Sequence, residues 1–158
     1  MKKRILTAVL AAALVTGTCA ATVSAKEEKT YTIGICQLVQ HDALDAATKG
    51  FEDAITEKMG DSVKFDEQNA QGDSNTCSTI INSFVSEGAD LILANATASL
   101  QAAAAGTSDI PILGTAVTEY GVALGIDDFD GTVGGNISGT SDLAPLDEQA
   151  DMLHELFP

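Results

Sequence analysis

The stretch Asn69-Ala70-Gln71-Gly72-Asp73 is a short polar turn that joins two segments with different residue patterns. Residues 63–66 before it have the character of a strand, and residues 79–85 after it have the apolar spacing of a helix. In an open α/β sheet, a turn of this kind lies where ligands bind. The start of the following helix offers free backbone N–H groups to a polar or anionic group. The turn therefore predicts an α/β fold and a ligand site beside it.

Strand and helix patterns alternate on both sides of this turn. Strands are predicted at residues 31–36, 62–66, 90–94 and 110–114, and helices at residues 43–59, 74–87 and 99–105. This order predicts a parallel, doubly wound α/β sheet. Residues 131–142 contain four glycines and are predicted to be a loop or connector, and residues 146–157 are predicted to be a last amphipathic helix.

Four positions are predicted to begin or end these helices. Asp42 is placed to cap the first helix and Gly60 to end it. Asp73 or Ser74 is expected to cap the second helix, which should stop at Gly88.

The first 25 residues have the pattern of a secretory signal. A basic start at residues 2–4 precedes a mostly apolar run at residues 5–15, which is too short to span a bilayer. Small residues that end at Ala25 offer a cleavage site. Lipid attachment at Cys19 is the alternative, although residues 16–18 match the usual approach to such a cysteine poorly. Either route predicts export to the extracellular face of the membrane or the periplasm.

The charge of the chain argues against several kinds of partner. Residues 26–158 contain all 23 acidic residues but only five of the eight basic ones, so their net charge is −18. Nucleic acid and anionic membrane surfaces require a basic patch and are not expected as partners. Arg4 is the only arginine. A ligand carboxylate would therefore have to be held by backbone N–H groups, hydroxyls, Lys or His.

Two cysteines, Cys36 and Cys77, follow the signal. One falls at a strand end and the other in a helix, so two buried free thiols are predicted. No catalytic motif is present in the sequence, neither Gly-x-Ser-x-Gly, a phosphate loop nor His-Glu-x-x-His, and no cofactor is predicted. Asp127, Asp128 and Asp130 lack the glutamate of a calcium loop and are interpreted as a solvated acidic loop.

The loops that follow parallel strands meet at one edge of the sheet. Their amides, hydroxyls and carboxylates suit recognition of a small molecule by hydrogen bonds. The candidate ligand contacts in these loops are Gln37, His41, Asn69, Gln71, Asp73, Thr97, Ser99, Thr118 and Tyr120. Simpler roles stay open: capping for His41, Asp73, Thr97 and Ser99, and plain exposure for Tyr120. His154 is interpreted as a surface residue.

Several short pieces of the chain, in a fixed order, match a known pattern. They are Ile33-Gly34-Ile35-Cys36-Gln37-Leu38-Val39-Gln40-His41, Ala43-Leu44-Asp45, Gly50-Phe51, Asn69-Ala70-Gln71-Gly72-Asp73, Asp90-Leu91-Ile92, Ala96-Thr97, Ile110-Pro111-Ile112, Ala116-Val117-Thr118 and residues 134–142. With them the chain resembles the substrate-binding proteins of ABC importers, in particular the TrpX-like branch linked to tryptophan and other aromatic amino acids. The resemblance implies a type I periplasmic-binding fold, in which two flavodoxin-like α/β lobes close on a ligand. It implies no enzyme activity.

The resemblance has further implications. Residues 26–142 would be the N-terminal lobe with its connector, and residues 143–158 the first helix of a second lobe that this chain lacks. Without that lobe the helix is expected to expose Leu153 and Phe157. An amino-acid ligand would place its carboxylate on the helix start at residues 97–99 and its ammonium near Asp142 or Asp73. The implied partner is an ABC permease in the membrane.

The sequence departs from that family at two places. Asp42 stands where proline is usual, and Ala98-Ser99 replaces a usual Pro-Ala after Thr97. Two alternatives stay open. One is the same fold with another cargo, such as a sugar, a nucleoside or an autoinducer. The other is a free-standing flavodoxin-like enzyme or signalling domain.

Overall fold

The computed structural model describes residues 29–157. The predicted signal, Cys19 and Pro158 lie outside the described residues. Five parallel strands form one sheet in the order β2-β1-β3-β4-β5. They are β1 (Tyr31–Gln37), β2 (Val63–Asn69), β3 (Leu91–Asn95), β4 (Ile112–Val117) and β5 (Ile137–Ser141). The helices are α1 (Asp42–Met59), α2 (Ser74–Glu87), α3 (Thr97–Gly106), α4 (Tyr120–Leu124) and α5 (Leu146–Leu156). The strand order is that of a flavodoxin-like sheet and confirms the predicted fold class.

The two faces of the sheet are covered unequally. On one face, α2, α3 and α4 bury an apolar cluster with Phe84 and Ile92 at its centre. On the other, the cluster around Ile35 packs against α1, where the ring of Phe51 meets that of Phe65 edge to face at 6.4 Å. Strands β1 and β3 lie in the interior of the sheet, and both of their faces are buried. This explains why their sequences are nearly continuous runs of apolar residues.

Two helices end at glycines, and one begins at a capping aspartate, as predicted. Gly60 ends α1 and Gly88 ends α2, the latter with the left-handed φ of 74° that favours glycine. The Asp73 side chain caps α2. The prediction of Asp42 as the cap of α1 is wrong, because Asp42 is already helical. His41 takes that role, and its Nδ1 accepts from the Ala43 N–H at 3.2 Å.

Other boundaries differ from the predictions. Strand β2 runs on to Asn69, so the turn proper covers residues 70–73, and α3 begins at Thr97, two residues early. Strand β4 continues to Val117. The largest correction concerns residues 131–142, predicted to be a loop or connector, where β5 completes the sheet. Helix α4 was not predicted.

Helix α5 exposes apolar side chains, as the sequence predicts. Leu153 is 55% exposed and Phe157 75% exposed, and no α5 residue is buried. The two cysteines are free and buried, which confirms the prediction of two buried thiols. Within the described residues, no helix combines the length and the apolar composition needed to cross a bilayer.

Candidate functional site

Backbone hydrogen bonds hold the loops side by side at the carboxyl edge of the sheet. Gly72 N donates to Leu38 O at 2.7 Å, and Leu38 N donates to Asn95 O at 3.2 Å. The loops after β1, β2 and β3 are therefore tied to one another and form a continuous surface at this edge.

Three residues at this edge have a backbone conformation that L-residues rarely adopt. Gln71, Ala96 and Ala116 have φ values of 56°, 92° and 53°, and they lie at or just beyond the ends of β2, β3 and β4. Each such residue costs about 1–3 kcal/mol, and strain of this kind clusters at ligand sites. Its position at the ends of three neighbouring strands marks the carboxyl edge as the candidate site.

Gln37 does not face the edge. It is 1% exposed, and both ends of its amide are engaged in the interior. Its Nε2 donates to Val39 O at 3.0 Å and to Asp45 Oδ1 at 2.6 Å, and its Oε1 accepts from Thr48 Oγ1 at 2.7 Å. Gln37 thus joins β1, the following loop and α1, and it supports the site from beneath.

Asn95 completes this buried polar cluster and was not among the predicted site residues. Its Nδ2 donates to Leu44 O and to Thr48 Oγ1, both at 2.9 Å. These acceptors fix the orientation of the amide. They leave its Oδ1 buried and without a hydrogen-bond partner among the described residues. A polar residue at the end of an apolar strand was the sequence signal for this position.

His41, Asn69 and Gln71 lie in the first two loops. His41 is exposed, and because its Nδ1 accepts the capping bond, the neutral ring carries its proton on Nε2 and can donate it to a ligand. Asn69 Oδ1 accepts from Gln71 N at 2.9 Å and from Gln71 Nε2 at 3.2 Å. Asn69 thus stabilises the left-handed Gln71, whose side chain is exposed at the edge.

Asp73 follows in the same turn. Its Oδ1 accepts from the Thr76 N–H at 2.8 Å, and this bond is the main reason that the pKa of its carboxyl lies below the ordinary value. Capping and ligand contact are compatible, because an exposed carboxylate has more acceptor positions than the cap uses.

The start of α3 lies at the centre of the edge. Ala96 precedes the helix and offers no side-chain cap, so the N–H groups of the first turn are not satisfied by a capping side chain. Thr97, the first residue of the helix, is exposed. This arrangement gives hydroxyl and N–H donors beside the positive end of a helix dipole, which suits a carboxylate.

Ser99 does not belong to that surface. It is fully buried, and its Oγ lies 3.6 Å from the Sγ of Cys36 and 3.6 Å from that of Cys77. Burial raises the pKa of the Cys36 thiol to about 12. The expectation that Ser99 faces a ligand is not met, because Ser99, the third residue of α3, points into the core.

Thr118 and Tyr120 line a cavity of about 600 Å³ between α4, β5 and the loop at residues 129–134. Thr118 is exposed, but Tyr120 is only 6% exposed, and its hydroxyl donates to Thr140 O at 3.2 Å. Tyr120 therefore supports β5 and is not the exposed ring that the sequence indicated. Burial, and after it the nearby Asp142 carboxylate, raise the pKa of Tyr120.

The predicted site residues thus divide into two groups. One group has exposed or half-buried positions along the carboxyl edge: His41, Asn69, Gln71, Asp73, Thr97, Thr118 and Asp142. A backbone hydrogen bond from Asp142 N to Val117 O holds Asp142 at this edge. Gln37, Ser99 and Tyr120 are buried behind that edge. Among residues 29–157, no three His, Cys, Asp or Glu side chains are grouped to hold a metal ion.

Comparison with known proteins gives consistent results. The family model for ABC transporter substrate binding proteins matches residues 32–158. A tyrosine-binding protein of Clostridioides difficile (strain R20291) is 46% identical over 134 residues, a match that covers 83% of this chain and 39% of that protein.

Two solved structures share the fold. One is a ligand-free, open substrate binding protein with adhesive properties from Clostridium difficile, with 43% identity, a TM-score of 0.72, and coverage of 80% of this chain and 43% of that one. The other is an ABC domain in complex with L-Trp from Streptococcus pneumonia, with 33% identity, a TM-score of 0.72, and coverage of 79% and 43%. The chain therefore spans less than half the length of these relatives.

The parallel sheet, the loops gathered at its carboxyl edge and the match over residues 32–158 agree: this chain belongs to the ABC transporter substrate binding protein family.

Proposed function

We propose that this chain forms one ligand-binding lobe of an exported solute-binding protein that delivers an aromatic amino acid to an ABC importer. The observation that carries the proposal is the uncapped start of α3 at Thr97, in the middle of the strained carboxyl edge. In the absence of any arginine beyond Arg4, this helix start is the group best suited to hold an amino-acid carboxylate.

Opposite charge for the ammonium group is available at the same edge. Asp73 and Asp142 are exposed there, the first after β2 and the second after β5. A carboxylate on Thr97 and an ammonium near one of these aspartates would fix the backbone of an amino acid and leave its side chain to other contacts. The names of the tyrosine-binding relative and the L-Trp complex support an aromatic side chain.

The length of the relatives supports a two-lobe arrangement. This chain covers 39–43% of each of them, so residues 26–142 are proposed to be one lobe and residues 143–158 the start of another. Closure of two lobes on one ligand would then signal its capture to a permease in the membrane. A single lobe lacks half of those contacts and is expected to bind weakly. The proposed role needs no catalytic chemistry.

The test is a thermal-shift titration of the full gene product. A ligand that binds only the folded state raises Tm, so L-tyrosine, L-tryptophan or L-phenylalanine is expected to stabilise the protein. Thr97→Ala is expected to weaken the effect, whereas Thr56→Ala, an exposed threonine on α1 away from the edge, is expected to leave it unchanged. Stabilisation by ribose or uridine without any effect of amino acids would contradict the proposal.

A further inference from the structure

Asn95 connects two parts of the candidate site. Strand β3 ends at this residue, and α3 begins two residues later. The backbone oxygen of Asn95 accepts from Leu38 N at 3.2 Å, and its side-chain Nδ2 donates to Leu44 O at 2.9 Å. One residue therefore joins the start of α3 to both ends of the segment of residues 38–44, which carries His41.

The side-chain amide of Asn95 also begins a chain of hydrogen bonds that runs in one direction. Its Nδ2 donates to Thr48 Oγ1 at 2.9 Å, and Thr48 Oγ1 donates to Gln37 Oε1 at 2.7 Å. Gln37 Nε2 then donates to Asp45 Oδ1 at 2.6 Å, and the same oxygen accepts from the His41 N–H at 3.4 Å. Each bond orients the next group, so the placement of the Asn95 amide is transmitted to the backbone at the surface.

Stability alone does not account for an asparagine at this position. Asn95 is 0% exposed, and its Oδ1 has no hydrogen-bond partner within residues 29–157. Taking an acceptor out of bulk water without giving it a protein donor is unfavourable. Leucine has the same branched shape and no such oxygen. With leucine here, the Thr48 hydroxyl keeps its bond to Gln37, and the Leu44 carbonyl lies within α1, where the helix supplies a donor.

We propose that Asn95 is a positioning residue for the ligand, because its buried hydrogen bonds fix the spacing between the segment 38–44 and the start of α3. The inference rests on the proposed function. There the helix start at Thr97 holds the ligand carboxylate, and His41 Nε2 can donate to the same ligand from the neighbouring loop. Groups that are fixed in place before a ligand arrives bind it more tightly, because little ordering is left to be done on binding.

The test compares affinity with stability in the full gene product. Asn95→Leu removes both the amide donor and the unpartnered oxygen. Its dissociation constants for L-tyrosine and L-tryptophan, measured by calorimetry, are expected to rise about tenfold, whereas the midpoint of urea unfolding is expected to stay unchanged or rise. Thr48→Val breaks the same chain one bond later and is expected to weaken binding too. The double variant is expected to bind no more weakly than the weaker single variant, since one chain carries both effects.

Asn136→Leu is the matched control. Asn136 precedes β5 at the amino edge of the sheet, and its Nδ2 also donates to two backbone oxygens, those of Thr107 at 3.2 Å and Ile110 at 2.8 Å. Both oxygens lose this donor in the variant. Asn136→Leu is therefore expected to lower the urea midpoint and to leave both dissociation constants unchanged.

Hydrogen–deuterium exchange gives a measurement that needs no ligand. In Asn95→Leu the amides of residues 38–44 are expected to exchange faster, while those of α2 keep the wild-type rate. Unchanged exchange at residues 38–44 would overturn the inference, and so would unchanged affinity. A variant that does not fold would overturn it as well, since the amide would then serve stability. If the wild type binds neither amino acid, the proposed function fails, and the exchange rates alone decide whether Asn95 positions this segment.

Discussion

The ring of Phe84 on α2 lies so close to Gly34 on β1 that a β-carbon at Gly34 would stand 2.6 Å from its Cγ and Cδ2. Phe84 is 1% exposed and cannot move toward solvent without opening the core. The contact joins the interior strand β1 to α2, and the Asp73 cap at the start of α2 shapes one loop of the candidate site.

Gly34→Ala is therefore expected to destabilise the fold by about 1–3 kcal/mol, since overpacking displaces a buried ring. Gly50→Ala is the matched change. Nothing lies within 4 Å of a β-carbon there, and alanine in mid-helix is expected to stabilise by up to about 1 kcal/mol. Urea unfolding followed by circular dichroism measures both. Equal effects of the two changes would show that Phe84 does not press on Gly34.

Asp73 is expected to make stability depend on pH in the acid range. Its pKa is lowered in the folded state, mainly by the Thr76 N–H bond. The stabilisation is therefore complete above the unfolded pKa of about 3.9 and is lost as pH falls through the lowered native value. Asp73→Asn keeps a capping oxygen but cannot titrate, whereas Asp73→Ala removes the cap.

Thermal unfolding from pH 7 to pH 2 tests this expectation. The stability difference between wild type and Asp73→Asn is expected to change only in the acid range, and Asp73→Ala is expected to be less stable than either at neutral pH. Asp127→Asn, in the exposed acidic loop, serves as the control. A difference that stays constant from pH 7 to pH 2 would rule out this linkage.

The Tyr120 hydroxyl is expected to lose its proton at a higher pH than an ordinary tyrosine. Burial raises the pKa of its hydroxyl, and the Asp142 carboxylate adds to the effect. Because the folded pKa exceeds the unfolded value of about 10, the contribution of Tyr120 to stability is complete below that pH and is lost as pH rises through the folded pKa. Ultraviolet titration of the phenolate measures it. Tyr120→Phe should remove the part of the absorbance change at the highest pH; a change at the highest pH that survives this substitution would reject the assignment.

Cys36 and Cys77 are expected to resist alkylation in the folded chain. Both are fully buried, and a pKa of about 12 leaves almost no Cys36 thiolate at pH 8. Iodoacetamide labelling read by mass spectrometry should be slow in buffer and fast in guanidinium. Val122→Cys, at a position that is 83% exposed on α4, should be labelled at once. Rapid labelling of Cys36 in buffer would show that the core opens around Ser99.

The sequence predicted the elements with strong patterns and missed those with weak ones. Strands β1 and β3 are apolar and buried on both faces, and α1 and α2 end at glycines. The existence and order of these four elements could therefore be predicted from the sequence. Three of the five residues of β5 are serine or glycine, which are weak strand formers, so this segment has little strand signal of its own. It is a strand because β4 offers an unpaired edge, a fact of tertiary structure.

The candidate site was predictable as a location but not residue by residue. The rule that loops meet at the carboxyl edge placed His41, Asp73 and Thr97 correctly on the surface. It could not show that Gln37 turns inward to meet Asp45, because a strand end alternates its side chains between core and edge. Nor could it show that the position of Ser99 in α3 points at two thiols.

The strand order has a consequence for how the chain folds. Strand β1 is the first to be synthesised, yet it lies between β2 and β3, so its second edge stays open until residue 95 has been made. The sheet is complete only at Ser141. A nascent chain that ends before residue 95 leaves one edge of the apolar strand β1 without its partner β3, and long-range parallel pairing is slow. Folding during synthesis is therefore expected to need protection by a chaperone until the third strand arrives.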